Sequence, residues 1–193
     1  MKIGCVVLAA GNARRFGSNK LNATVEGESL IRRALEAVPV GLAAVVVSQY
    51  PDILALAGEY GFAAVRNNRP DLGLSLSVRL GLEQLLDCDG TLFLVADQPW
   101  LKRDSAEALA ALWAQNPGKI AAMAHGGIRG NPCLFPARFY PELLALTGDR
   151  GGSAVIRNHE EDLILLETDA WELADVDTPE ALQQARQARI PEK

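Results

Sequence analysis

Two cationic side chains, Arg15 and Lys20, stand either side of Gly17 in a stretch that begins with the small residues Ala9-Ala10-Gly11. Small residues let a backbone come close to a ligand and offer its amides to phosphate oxygens. The two cations supply the charge that a triphosphate would meet. No G-x-G-x-x-G is present, and Gly17 is followed by Ser18 rather than lysine, so the loop is neither a dinucleotide fingerprint nor a Walker loop. Taken alone, it could also be a plain glycine turn. A second chemically competent group, Asp97, ends the apolar run Leu92–Val95 and precedes Gln98-Pro99. One or two carboxylates together with phosphates form the oxygen-only set that Mg2+ prefers.

The elements around these residues alternate between strand-like and helix-like patterns. Ile3–Ala9, Ala43–Val47, Ala63–Val65 and Thr91–Val95 read as strands, and Ile120–Ala124, Cys133–Pro136, Leu163–Leu166 and Ala174–Val176 continue the series. Between them, Leu30–Val38, Pro51–Tyr60, Leu74–Leu86, Asp104–Gln115, Arg138–Leu146 and Ser153–Asn158 read as helices, and Thr178-Pro179 opens a last one. Ser75 or Asp71 is the expected cap of the third helix and Asp104 that of the fourth, with residues 126–132 as a loop between strands. Buried strands alternating with helices predict an α/β fold, a Rossmann-like three-layer α/β/α sandwich with a mostly parallel sheet. In such a sheet ligands bind beyond the carboxyl ends of the strands, which is where the Leu8–Lys20 loop and Asp97 fall.

Composition narrows the class. A chain of 193 residues can carry one α/β domain with a real core, so residues 1–193 are read as a single domain. The net charge of −5 argues against a nucleic-acid or membrane-surface role, because phosphate backbones call for a basic footprint. No apolar run is long enough to span a bilayer, and the run Ile3–Ala10 is too short for a secretory signal. Cys5, Cys88 and Cys133 are widely spaced and read as buried thiols of a reducing, cytoplasmic compartment. His125 and His159 have no metal-ligand spacing and read as surface or loop residues.

Residues 8–20 resemble L-A-A-G-x-S-x-R-M-G-x-x-K, the signature of the MobA/MocA-like nucleotidyltransferases, and within them of the molybdenum cofactor cytidylyltransferases. Leu8, Ala9, Ala10, Gly11, Arg15, Gly17 and Lys20 match, while Ala13 and Phe16 replace the usual serine and methionine. Asn67 to Val78 resembles N-P-x-x-x-x-G-L-x-x-S-V, with Asn67, Gly73 and Ser77 matching and Asn68 in place of proline. Ala96 to Leu101 resembles G-D-x-P-x-L, and Gly130-Asn131-Pro132 resembles G-H-P with Asn131 for histidine. Asparagine can hydrogen-bond there but cannot carry a proton at neutral pH. Gly148 to Gly152 resembles G-D-x-G-x, and Asp175 to Glu180 resembles D-I-D-T-P-x-D. Each motif alone is weak; their shared order along the chain is specific.

The resemblance implies a nucleotide-diphospho-sugar transferase-like fold and transfer of a nucleoside monophosphate from CTP, or another triphosphate, to a phosphate-bearing acceptor. It implies Lys20, Arg15 and Asp97 as catalytic residues, with Leu8, Ala9, Ala10, Gly11, Asn67, Gly73 and Ser77 on the nucleotide. It further implies Mg2+ on Asp97 and Asp177, and the acceptor, a molybdopterin-type molybdenum cofactor, at Asn131 and Asp149. A molybdoenzyme or its maturation chaperone is the partner so implied. The Ala9-Ala10-Gly11 form of the loop, against Ala-Gly-Gly in guanylyl-type members, points to CTP. Two rival readings use the same residues: transfer to another small phosphate, such as a sugar phosphate or phospholactate, and a cofactor-delivery protein without transferase activity.

Overall fold

The computed structural model describes residues 1–11 and 19–187. Strand β1 (Ile3–Ala9) lies at the centre of the sheet, with β4 (Ala43–Ser48) on one side and β6 (Gly90–Val95) on the other, both parallel to it. A small hairpin, β2 (Thr24–Val25) and β3 (Glu28–Ser29), follows the first loop, and β5 (Ala63–Arg66) extends the sheet beyond β4. Beyond β6 come β7 (Ile120–His125), β8 (Ile128–Pro136) and β9 (Leu163–Glu167), giving the order β5-β4-β1-β6-β8-β7-β9. Among the described residues, β8 is the one strand of this seven-stranded sheet that runs antiparallel to its neighbours. The chain moves outward from β1 to β5 and then crosses back to β6. The carboxyl ends of β1 and β6 therefore flank the crevice where strand order reverses, the place such sheets bind ligands.

Both faces are covered, because alternate residues of a strand point to opposite sides. Cys5, Val7 and Ala9 join the layer formed by α1 (Leu30–Glu36), α2 (Pro51–Glu59), α4 (Arg103–Gln115) and α7 (Pro179–Gln187). Val6, Val45 and Val47 join the opposite layer, formed by α3 (Leu74–Leu82), α5 (Tyr140–Leu144) and α6 (Gly152–Asn158). The fold is the expected three-layer α/β/α sandwich. Trp113 of α4 and Phe135 of β8 are among its largest fully buried side chains, each worth roughly 1.5–3 kcal/mol of transfer free energy. All three cysteines are buried and free. Among the described residues, no helix is long and apolar enough to cross a membrane.

Several local expectations are corrected. Ala174–Val176 is not a strand; it is tied to the sheet region by the Val176 amide donating to the Asp97 carbonyl at 2.9 Å. Residues 128–132 belong to the nine-residue strand β8, so the turn is confined to Gly126 and Gly127, both with positive φ. Neither Ser75 nor Asp71 caps α3; Gly73 does, at φ 88°, and the helix ends at Leu82. Asp104 lies inside α4, whose start is capped by another group: the Lys102 amide donates to the buried Glu172 carboxylate at 3.0 Å. The segment 138–146 is a short 3-10 turn followed by α5. Thr178 does cap the last helix, its hydroxyl accepting from the Ala181 amide at 3.1 Å.

Candidate active site

The loop after β1 is held by its carbonyls. Ser48 Oγ donates to the Ala9 carbonyl at 2.9 Å, Gln49 Nε2 to that of Ala10 at 3.0 Å, and Tyr50 Oη to that of Gly11 at 3.4 Å. The last residue of β4 and the two that follow it thus grip three successive carbonyls. In a planar trans peptide the N–H points opposite to the C=O, so the amides of Ala10 and Gly11 are turned away from β4, as an anion-binding loop requires. Leu8, Ala9, Ala10 and Gly11 line a cavity of about 510 Å³. Residues 12–18, and with them Arg15, lie outside the described residues.

Lys20 enters this cavity from a 3-10 turn (Lys20–Asn22) whose start is fixed by Asn19 accepting from the Leu21 amide. Its Nζ lies 2.7 Å from Asp97 Oδ2, 2.9 Å from Asp177 Oδ1 and 3.1 Å from the Val176 carbonyl. Residues 77 and 157 positions apart from Lys20 are brought to one point. Burial of the ammonium opposes its charge, but the carboxylates of Asp97 and Asp177 outweigh that, and the Lys20 pKa is raised. Asp97 sits just past β6, and its carbonyl takes the Val176 amide, so one backbone bond sets the distance between the two acidic segments. An ammonium held by oxygen atoms alone is a fair stand-in for a hard cation, and both carboxylates fit Mg2+ on that observation.

A third carboxylate belongs to this corner and was not singled out from the sequence. Asp175 remains exposed at the edge of the corner, and its carboxyl is pushed up to about 6, first by partial desolvation and then by the charges of Asp97 and Asp177, against a weaker opposing bond from Gln98. The i, i+2 spacing of Asp175 and Asp177 in an extended segment, with the buried Val176 between them, was the available signal. Gln98 itself is 2% exposed and donates to the Leu173 carbonyl at 3.1 Å, fastening the turn after β6 to the segment that carries Asp177.

On the far side of the cavity stand Gly73, Ser77, Pro70 and Asp71. Asn67 is not among the residues lining it: buried, it donates Nδ2 to Ser77 Oγ at 3.0 Å and accepts from the Arg69 amide at 2.9 Å. Its geometry sets the loop that places Ser77. Gly73 has a second task. A Cβ built on it would come 2.4 Å from the Gly148 carbonyl carbon, and the Gly148 carbonyl accepts from the Ser75 amide at 3.0 Å. The start of α3 and the turn carrying Asp149 are thus packed backbone to backbone, which a side chain at position 73 would prevent.

Asp149 also lines a second cleft of about 190 Å³, adjoining the first at Leu8, Leu74 and Val95. Its walls are largely apolar, with Val78, Phe93, Phe135 and Leu143, and its polar groups include Asn131 and Ser153. Asn131 comes from β8 and Asp149 from the turn before α6, so the structure brings both expected acceptor residues to one opening.

The histidines lie elsewhere. His125 is exposed at the β7–β8 turn, and half-buried His159 closes α6, its Nε2 2.8 Å from Glu142 Oε1. His159 does gather with Glu161 and Asp162 within 4.8 Å, a proximity the spacing did not suggest. Asp162 is already paired with Lys119 and Arg138, and His159 with Glu142.

A three-layer sheet whose strand order reverses beside a cavity holding Lys20, Asp97 and Asp177 agrees with the nucleotidyltransferase class of α/β proteins. The chain belongs to the MobA-like NTP transferase domain family, whose pattern matches residues 5–163. It is 27% identical over 198 residues to the purine catabolism protein PucB of Bacillus subtilis (strain 168), covering 95% of each chain. Its fold superposes on Rv0371c of Mycobacterium tuberculosis H37Rv with a TM-score of 0.84 at 20% identity, covering 97% of this chain and 98% of the other. It also superposes on molybdopterin-guanine dinucleotide biosynthesis protein A of Archaeoglobus fulgidus, with a TM-score of 0.71 at 18% identity and 97% of each chain covered.

Proposed function

We propose that this nucleotidyltransferase moves a cytidine monophosphate unit from CTP to the phosphate of a molybdopterin-type molybdenum cofactor, with Mg2+ held by Asp97 and Asp177. The observation carrying this reading is the convergence of Lys20, Asp97 and Asp177 at one wall of a cavity that also holds the Ala9-Ala10-Gly11 loop. Family membership supports the reaction type. The archaeal fold neighbour's name supports a molybdopterin acceptor, and the Ala10 methyl supports a pyrimidine over a purine.

In the reaction an acceptor phosphate oxygen attacks the α-phosphorus, a new P–O bond forms, and the bond to the oxygen bridging the α- and β-phosphorus breaks. Pyrophosphate leaves with that electron pair. The protein's work is alignment and charge stabilisation. The loop amides after β1 orient the phosphates, and Lys20 neutralises charge on the leaving group. Asp97 and Asp177 would hold the cation, which when bound supplies charge neutralisation at the α-phosphate. Asn131 and Asp149 orient the acceptor in the second cleft, whose apolar walls exclude water from the attacking oxygen's side.

Thermal shift with CTP, GTP, ATP and UTP, each with Mg2+, is the direct test. A bound nucleotide at a hundred times its dissociation constant adds about 2.7 kcal/mol of stability. CTP is expected to give the largest shift; no response to any of the four contradicts the proposal.

A further inference from the structure

The Lys20 ammonium has three N–H donors, and three protein oxygens take them: one from Asp97, one from Asp177 and the Val176 carbonyl. Its side chain is only 12% exposed. Without this cation, the half-buried Asp97 and the more exposed Asp177 would meet at one point with no counter-charge, and their like charges would repel. Lys20 therefore does, in the nucleotide-free protein, the neutralising work that a divalent cation does in a metal site. The same amine stands on the wall of the nucleotide cavity, where a triphosphate is its alternative acceptor. These two engagements exclude each other, because three donors cannot serve three protein oxygens and a phosphate together.

We infer that Lys20 and a divalent cation compete for the Asp97–Asp177 pair, so that cation and triphosphate load together rather than one after the other. This rests on the reading of that pair as the cation site. The incoming triphosphate draws the ammonium off the carboxylates, and the oxygens so released take the cation. The nucleotide-free protein accordingly binds divalent cations weakly. Linkage then requires that the factor by which triphosphate tightens the cation equals the factor by which the cation tightens triphosphate.

The experiment is a Mn2+ titration, followed by electron paramagnetic resonance, on the nucleotide-free full chain. Lys20→Met keeps the length and removes the charge. It is expected to bind Mn2+ about tenfold more tightly than wild type, a coupling of ordinary size. It is also expected to melt lower than wild type in chelator and to recover on adding Mn2+, while wild type gains little. Lys20→Gln provides the same comparison should Lys20→Met not fold. Equal or weaker Mn2+ binding by a cooperatively melting variant overturns the inference. Asp97→Asn separates the two levels of failure: in the presence of CTP it should lose Mn2+ binding. If it binds Mn2+ as wild type does, the cation site itself is misplaced, and the inference falls with it.

Discussion

The corner built by Lys20, Asp97 and Asp177 and the cleft between Asn131 and Asp149 adjoin one another, yet they are made in opposite ways. In the corner, charged side chains meet at hydrogen-bonding distance, and the backbone bond from Val176 to Asp97 sets their spacing. In the cleft, apolar walls and backbone packing do the work. A Cβ on Gly152 would come 2.6 Å from the Phe135 ring, and the turn carrying Asp149 is fixed where Gly148 packs on Gly73 at the border with the first cavity. Chemistry in the first region depends on which charges are present; in the second it depends on which side chains are absent. Charge-removing and space-filling substitutions should therefore act differently on the two.

The largest effect is expected from Asp97→Asn, which keeps size and removes charge. Turnover, followed by pyrophosphate release under saturating Mg2+, should fall at least about a hundredfold, equivalent to about 2.7 kcal/mol. Stability should change far less, and a near-normal rate would break the comparison at its charged end. Gly73→Ala should act through packing rather than charge, with a clear loss of stability. A residue at φ 88° with a backbone carbon 2.4 Å from its new Cβ must shift. A cost of about 2 kcal/mol is the sum of ordinary strain and overpacking, lowering Tm by roughly 4–8 °C. Calorimetry is the check, and an unchanged Tm would mean the two turns are not packed as described.

A smaller effect concerns the donor. Ala10 is 6% exposed and lines the cavity that Lys20 enters. Removing its methyl should relax the CTP preference by about tenfold without reversing it, since one methyl is worth about 1–3 kcal/mol at most. The ratio of kcat/KM for CTP and GTP in wild type and Ala10→Gly decides this. The smallest effect is on stability against pH in chelator. The Asp175 pKa of about 6 stands above its ordinary 3.8, so ionisation is disfavoured by folding. Its contribution is fully favourable below pH 3.8 and is lost as pH rises through 6. Asp175→Asn should thus melt about 1–2 °C above wild type at pH 7, a gain reduced by solvent screening, and show no gain near pH 3.5. Equal melting at both pH values would remove Asp175 from the corner's electrostatics.

The same contrast explains what could be read without coordinates. Lys20 and Asp97 stand out by their own chemistry at one sheet edge, whereas Asp177 is reached only through the family resemblance, since Asp-Thr-Pro alone reads as a helix start. Asp175 was visible by spacing but not by role, because its role is set by neighbours distant in sequence. Asn67 can be matched to a motif, but its bonds to Ser77 Oγ and the Arg69 amide are set by the fold and leave no local signal. Gly73 could be matched to a motif, but its packing on Gly148 depends on a contact across 75 positions that local patterns do not carry. The antiparallel strand β8 reaches back to Ile128, although Gly130 and Pro132 imitate a turn in the sequence. Glu172, the buried carboxylate at the start of α4, had no local signal at all.

The most direct test of the account follows a phosphorus label placed at the α-position of CTP. With Mg2+ and a molybdenum-loaded pterin acceptor, the label should move to the acceptor, and pyrophosphate should appear in equal amount. Asp97→Asn, correctly folded by its melting curve, should transfer at least about a hundredfold less. Label remaining in CTP with the wild-type protein, or passing to the acceptor equally well with Asp97→Asn, would contradict it.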